Sequence, residues 1–204
     1  MTMPARPKAE LRRRLARALD IAGDLAYAIG GADAMAAHGY VRATRDIDIF
    51  TVEEHVAKLL HALRQAGLEV SVVQEPSHFA ARLPRDPVFE RRIDVLVTWG
   101  EPELSAVEYA VTLRRFGREW RFFPVDLLAF AKFEAYVDSG DPRHALDLLA
   151  MIRRGLFSVP QVRAALASVF PDEVARWDET IASFATKGRG RTQRRGPRLP
   201  RGGS

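Results

Sequence analysis

The chain has 204 residues, of which 47% are hydrophobic and 28% are charged, a balance typical of a globular protein with one sizeable core. It contains no cysteine, which excludes disulfides and thiolate metal sites, and no apolar run approaches the roughly 20 residues of a membrane span. Because the first residues also lack the apolar core of a signal peptide, we expect a cytoplasmic protein without membrane contact.

The net charge of +5 is distributed unevenly along the chain. From Lys187 onward there are seven basic residues and no acidic ones, so residues 1–186 sum to −2. The segment 186–204 is rich in Gly, Pro and Arg and cannot bury apolar surface, and we predict that it is a disordered basic tail. Such a tail serves either as a nucleic-acid-binding arm or as a solubilising segment.

The first half of the chain alternates helical and strand-like patterns. Leu11, Leu15 and Leu19 recur at helical spacing, and Gly67 follows a second amphipathic run as a helix terminator. The predicted order is helix 9–21, strand 25–29, helix 32–37, strand 46–52, helix 53–66, strand 68–73 and strand 79–83.

The strand 46–52 carries two acidic side chains. Asp46 and Asp48 are two residues apart, so they project from one face of the strand while Ile47 and Ile49 project from the other. Two neighbouring carboxylates repel each other and need a counter-charge, for which a divalent cation is the usual choice. Upstream, the Gly30-Gly31 turn before a helix would let a phosphate approach the backbone. A predicted metal site beside a predicted phosphate site indicates that the ligand is a nucleotide.

A third acid, Asp94, lies within the strongest later strand, 91–99, between Ile93 and Val95. An acid inside an apolar strand is costly unless it is paired or metal-bound, so we expect Asp94 to join Asp46 and Asp48. The remaining predicted elements are helix 102–110, a hairpin of strands 111–115 and 119–123, and helices 125–137, 143–154, 159–169 and 172–184. We therefore divide the chain into an α/β core at 1–123, a helical region at 124–185 and the tail.

The glycine turn, the Asp-Ile-Asp strand and the Ile-Asp-Val strand together resemble the nucleotidyltransferase superfamily, which has the polymerase-β-like fold. More narrowly, the stretch from Gly30 to Asp48 is similar to the abortive-infection nucleotidyltransferases, the AbiEii toxins and their relatives. That similarity is carried by Gly30, Gly31, Ala34, Arg42, Thr44, Asp46 and Asp48. The later residues Leu128, Lys132, Asp147 and Leu148 resemble the same relatives' helical motifs.

The resemblance implies an α/β fold with a mixed sheet, flanking helices and a C-terminal helical bundle. It also implies a Mg²⁺-dependent enzyme that transfers a nucleoside monophosphate from an NTP to a hydroxyl of RNA, protein or a small molecule. Asp46, Asp48 and Asp94 would hold Mg²⁺ and act in catalysis. The nucleotide-binding residues would be Gly30, Gly31, Thr44, Lys132 and Asp147. Relatives that are toxins suggest tRNA or another RNA and a cognate antitoxin as partners.

One position departs from the family pattern. Where the helical motif has a first acid, this chain has His144, whereas Asp147 keeps the second acid. The alternative function is therefore a nucleotide-binding or protein-binding module on the same fold that has lost turnover. Two other polar residues, Asp33 and His38, are interpreted as structural, in a first helical turn and at a helix end.

Overall fold

A computed structural model describes residues 7–189 of the chain. Within these residues it forms eight α-helices, seven β-strands and one 3-10 turn at Pro171–Glu173. The helices are α1 (Pro7–Ala22), α2 (Gly31–Ala37), α3 (Glu53–Gln65), α4 (Glu103–Glu108), α5 (Val125–Ser139), α6 (Pro142–Arg153), α7 (Val159–Val169) and α8 (Val174–Arg189). The strands are β1 (Tyr27–Ile29), β2 (Ile47–Val52), β3 (Glu69–Gln74), β4 (His78–Arg82), β5 (Arg92–Thr98), β6 (Val111–Arg115) and β7 (Arg118–Phe122). The predicted elements differ from these only at their ends.

The strands form one mixed sheet in the order β3-β4-β5-β2-β1-β7-β6. Strands β2 and β5 are parallel, as are β1 and β7, and the other neighbours are antiparallel. Helices α1, α2, α3 and α4 pack against its strands, so the predicted α/β class with a mixed sheet and flanking helices is confirmed. The central position of β2, between β1 and β5, brings the two predicted acid-bearing strands side by side.

Alternation along β2 and β5 gives the sheet one apolar face and one face with polar groups. Ile47, Ile49, Ile93 and Val95 are at most 2% exposed, and Ile47 lines a small cavity together with Leu15 of α1. Helix α1 packs against α3 through their leucine faces. This is the main core, and its burial fixes the register that turns the aspartates to the opposite face.

Helix α5 packs against α2, α4 and α6. The chain divides into two compact units, 1–158 and 159–204. The first unit contains the sheet and helices α1 to α6, and in the second unit α7 packs against α8. The domain boundaries predicted near residues 123 and 185 stay predictions, and residues 190–204 of the predicted tail lie outside the described residues. No helix in the described range has the length and apolarity needed to cross a bilayer.

Candidate active site

Three aspartates come together where β2 and β5 lie side by side. Asp48 lies directly opposite Asp94 in the parallel pairing, and Asp46 immediately precedes β2. One carboxylate oxygen from each of the three residues lies within 4.8 Å of the others, a spacing that a divalent cation can bridge. Asp94 is only 5% exposed, whereas Asp46 and Asp48 keep part of their surface open. The three acids therefore converge as the sequence predicts, and their donor set of hard oxygen atoms fits Mg²⁺.

The glycine turn makes room for the second of these acids. Gly31 has φ +56°, and a Cβ atom built on it would lie 1.7 Å from Asp48 Oδ2. The backbone amide of Gly30 donates to the Asp48 carbonyl at 3.0 Å, which extends the pairing of β1 with β2 up to the turn. The two glycines thus allow the main chain to approach an acid directly. Their predicted contact with a nucleotide phosphate stays a prediction.

The environment of Asp48 disfavours its charged form. Burial raises the pKa of Asp48 to about 7, with further increases from the charges of Asp46 and Asp94 and an opposing effect from Lys132. A bound cation would offset both the burial of the Asp48 carboxylate and its repulsion by Asp46 and Asp94.

Asp46 is held by residues before it in the chain. The Thr44 hydroxyl donates a hydrogen bond to Asp46 Oδ1, and Lys8 Nζ donates to the Asp46 carbonyl at 2.7 Å. Thr44 therefore orients one of the acids in this structure, and its predicted contact with a nucleotide is untested. The Lys8 ammonium also pairs with Asp33 at 2.9 Å, in keeping with a structural role for Asp33.

Asp94 has two partners that sequence reasoning missed. His78 Nε2 on β4 lies 2.6 Å from Asp94 Oδ1, and Arg92 Nε lies 2.8 Å from Oδ1 and 3.0 Å from Oδ2. Arg92 could have been found from the sequence, since it precedes Asp94 by two residues and shares its face of the strand. His78 could not, because its contact depends on the β4–β5 register, in which His78 lies opposite Leu96. Both partners are donors or potential donors that hold the buried carboxylate in one orientation.

A second charged cluster links helices α5 and α6 to the loop before β2. Lys132 Nζ lies 3.3 Å from Asp147 Oδ2, and Arg42 contacts the same carboxylate with Nε at 2.8 Å from Oδ1 and Nη2 at 3.0 Å from Oδ2. Lys132 is also near enough to the acid cluster to lower the pKa of Asp48. The structure therefore places the predicted nucleotide-binding residues Lys132 and Asp147 beside each other, whereas their contact with a nucleotide stays a prediction.

His144 lies near this second cluster. Burial lowers the pKa of His144, and the charge of Lys132 lowers it further. A neutral imidazole cannot supply the negative charge of the acid that the resemblance places at this position. The other histidine of the sequence analysis, His38, ends α2 and its Nε2 lies 2.8 Å from the Phe123 carbonyl, in keeping with a structural role.

No protein-family model and no curated protein matches this chain. Solved structures do match. ANT(2'')-Ia in complex with adenylyl-2''-tobramycin is 19% identical with a TM-score of 0.52, and the match covers 89% of this chain and 98% of that one. JHP933 from Helicobacter pylori is 16% identical with a TM-score of 0.53, over 93% and 84% of the two chains. An antigenic nucleotidyltransferase-like protein from Paracoccidioides brasiliensis is 18% identical with a TM-score of 0.52, over 86% and 95%. At these identities the likeness concerns the fold, and the fold of this chain is nucleotidyltransferase-like.

Proposed function

We propose that this protein is a nucleotidyltransferase that transfers a nucleoside monophosphate from an NTP to a hydroxyl group and releases pyrophosphate. The observation that carries the proposal is the convergence of Asp46, Asp48 and Asp94, with one oxygen from each within 4.8 Å, on the polar face of a nucleotidyltransferase-like sheet. Asp46, Asp48 and Asp94 would hold Mg²⁺, and the nucleotide would bind at Gly30, Gly31, Thr44, Lys132 and Asp147.

In this reaction the acceptor oxygen attacks the α-phosphorus, a new P–O bond forms, and the bond to the pyrophosphate breaks. Bound Mg²⁺ would make the hydroxyl more acidic and neutralise charge on the leaving group. Asp94, which His78 and Arg92 hold in place, orients the acceptor hydroxyl and receives its proton. The open backbone at Gly30-Gly31 lets the triphosphate approach, and the ammonium of Lys132 offers a point charge to it.

Two kinds of acceptor have support. The structure of ANT(2'')-Ia holds adenylyl-2''-tobramycin, so one protein with a similar fold has been solved with an adenylylated small molecule. Two features favour RNA, such as tRNA, as the acceptor instead: the AbiEii-like residues from Gly30 to Asp48, and the basic tail. The protein would then be a toxin with a cognate antitoxin. The net charge of −2 over residues 1–186 speaks against a long RNA footprint, because phosphate contacts need Lys and Arg.

A second candidate function is a nucleotide-binding or protein-binding module without turnover. The observation that favours it is His144, whose neutral imidazole stands near Lys132 and Asp147 in place of an acid. The intact and convergent acid triple favours the enzyme.

The deciding experiment incubates the protein with each α-labelled NTP in the presence of Mg²⁺. The acceptor offered is total RNA, a panel of small molecules, or nothing besides the protein itself. We expect label on an acceptor with the wild type, and none with Asp46→Asn or Asp48→Asn, which keep the side-chain shape but remove the charge. Asp172→Asn, a change at an exposed acid of the second unit, is the matched control and should keep full activity. Nucleotide binding without any transfer would instead support the binding module.

A further inference from the structure

A cavity of about 330 Å³ opens beside the third acid. Its walls include Phe50 and Leu96, which follow Asp48 and Asp94 by two residues and share their face of the sheet. His78 also lines the cavity while its Nε2 contacts Asp94 Oδ1. Asp94 itself does not line the cavity, and the His78 imidazole is the side chain that connects the two.

The charge of this cavity is negative. Glu101 and Glu103 line it, and none of its lining residues in the described part of the chain is a lysine or arginine. Burial raises the pKa of Glu103, and the charges of Glu101 and Asp138 add to that increase. A cation in the cavity would relieve this crowding of acids, whereas a phosphate would meet repulsion.

One further residue of the cavity wall suits a cationic compound. Trp99 is 48% exposed, and its Nε1 donates to Glu53 Oε2 at 3.0 Å, which fixes the indole ring at the cavity. An exposed and oriented indole face attracts an ammonium group.

We propose that this cavity is the acceptor subsite and that it binds a small hydroxylated amine rather than RNA. The ammonium groups of the acceptor lie against Glu101, Glu103 and the Trp99 ring, and one of its hydroxyls reaches Asp94 past His78. This inference rests on the proposed transferase function for the role of the bound compound. The binding itself needs neither nucleotide nor metal, so it can be tested separately.

The test measures binding of 2-deoxystreptamine, a compact diamine with three hydroxyl groups, by calorimetry and saturation-transfer NMR at low salt. Its comparison compound is myo-inositol, a neutral ring polyol of similar size. We expect the protein to bind 2-deoxystreptamine, to bind it more weakly as salt increases, and to bind myo-inositol much less. The double substitution Glu101→Gln with Glu103→Gln should weaken binding of the diamine by about tenfold or more, because the protein loses two negative charges that face the cationic ligand.

A control variant carries the same charge change elsewhere. Glu69→Gln with Glu179→Gln alters two exposed acids outside the cavity and should leave binding of the diamine unchanged. Asp46→Asn should also leave binding of the diamine intact while it abolishes nucleotidyl transfer. This pair of results separates the inference from the proposed function. The proposal is overturned if the wild type does not bind the diamine, if the cavity variant and its control lose binding equally, or if the cavity variant weakens binding of an RNA hairpin instead.

Discussion

Lys132 Nζ lies 3.3 Å from Asp147 Oδ2, and the two residues are only 8% and 3% exposed. The carboxylate of Asp147 also receives the guanidinium of Arg42. One buried acid therefore compensates two cations that come from different parts of the chain, α5 and the loop before β2. This cluster fixes the position of the helical layer next to the acid triple.

We predict that Asp147→Asn lowers the free energy of unfolding by about 2–4 kcal/mol, because it leaves Lys132 buried without its counter-charge. Urea unfolding followed by circular dichroism measures the change. Asp178→Asn breaks the exposed pair of Asp178 with Arg163 and should change the stability little. An Asp147 variant as stable as the wild type would show that this acid does not hold the two cations together.

Much of the acid cluster could be predicted because it depends on local pattern. The two-residue alternation of Asp46 and Asp48 with Ile47 and Ile49 determines the face of each side chain from the sequence alone. Asp94 could be assigned to the same site because its apolar strand makes an unpaired acid costly. Both inferences need only the burial of a strand, and the structure agrees with both.

The partners of these acids could not be predicted, because they depend on long-range register and side-chain reach. His78 meets Asp94 only because β4 pairs with β5 in the observed register. Lys8 meets the Asp46 carbonyl across 38 positions of the chain. Arg92 is the exception, because it precedes Asp94 by only two residues on the same face of β5 and could have been found from the sequence.

We predict that Gly31→Ala damages the acid site itself. The new methyl group would lie 1.7 Å from Asp48 Oδ2, and the residue would keep a left-handed backbone at φ +56°. We expect a loss of about 2–4 kcal/mol in unfolding free energy from strain and overpacking, together with weaker binding of Mn²⁺ or Mg²⁺ in calorimetry.

Gly23→Ala is the control for backbone strain alone, since Gly23 has φ +64° and no atom within 4 Å of its added Cβ. It should cost about 1–2 kcal/mol and leave metal binding intact. Equal effects of the two variants on metal binding would contradict a direct approach of Gly31 to Asp48.

We predict that Asp48 makes the metal-free protein less stable as the pH rises. Burial raises the pKa of Asp48 to about 7 from an ordinary value near 3.8, so the folded state binds more protons than the unfolded state between these pH values. The stability therefore falls as the pH increases through this window and is constant above it. Urea unfolding in EDTA from pH 4 to 8 should show Asp48→Asn becoming more stable than the wild type, by up to about 4 kcal/mol at pH 8.

Added Mg²⁺ at pH 8 should narrow this difference by stabilising the wild type only, since the variant lacks the charged ligand. Asp172→Asn, at an exposed acid, should follow the wild-type profile. A stability difference that does not vary with pH would place the cause in side-chain packing and not in the charge of Asp48.

Two buried threonines on neighbouring strands allow a last prediction. Thr51 is 0% exposed and its hydroxyl donates to the Ala26 carbonyl at 2.7 Å, whereas the Oγ1 of Thr98 has no partner among the described residues. Thr51→Val should therefore cost about 1–2 kcal/mol in unfolding free energy, because it removes a buried hydrogen bond. Thr98→Val removes only an unpaired hydroxyl, so its stability should equal or exceed that of the wild type. Urea unfolding of both variants gives the comparison. Equal destabilisation by the two changes would mean that the Thr98 hydroxyl stabilises the fold as much as the paired Thr51 hydroxyl does.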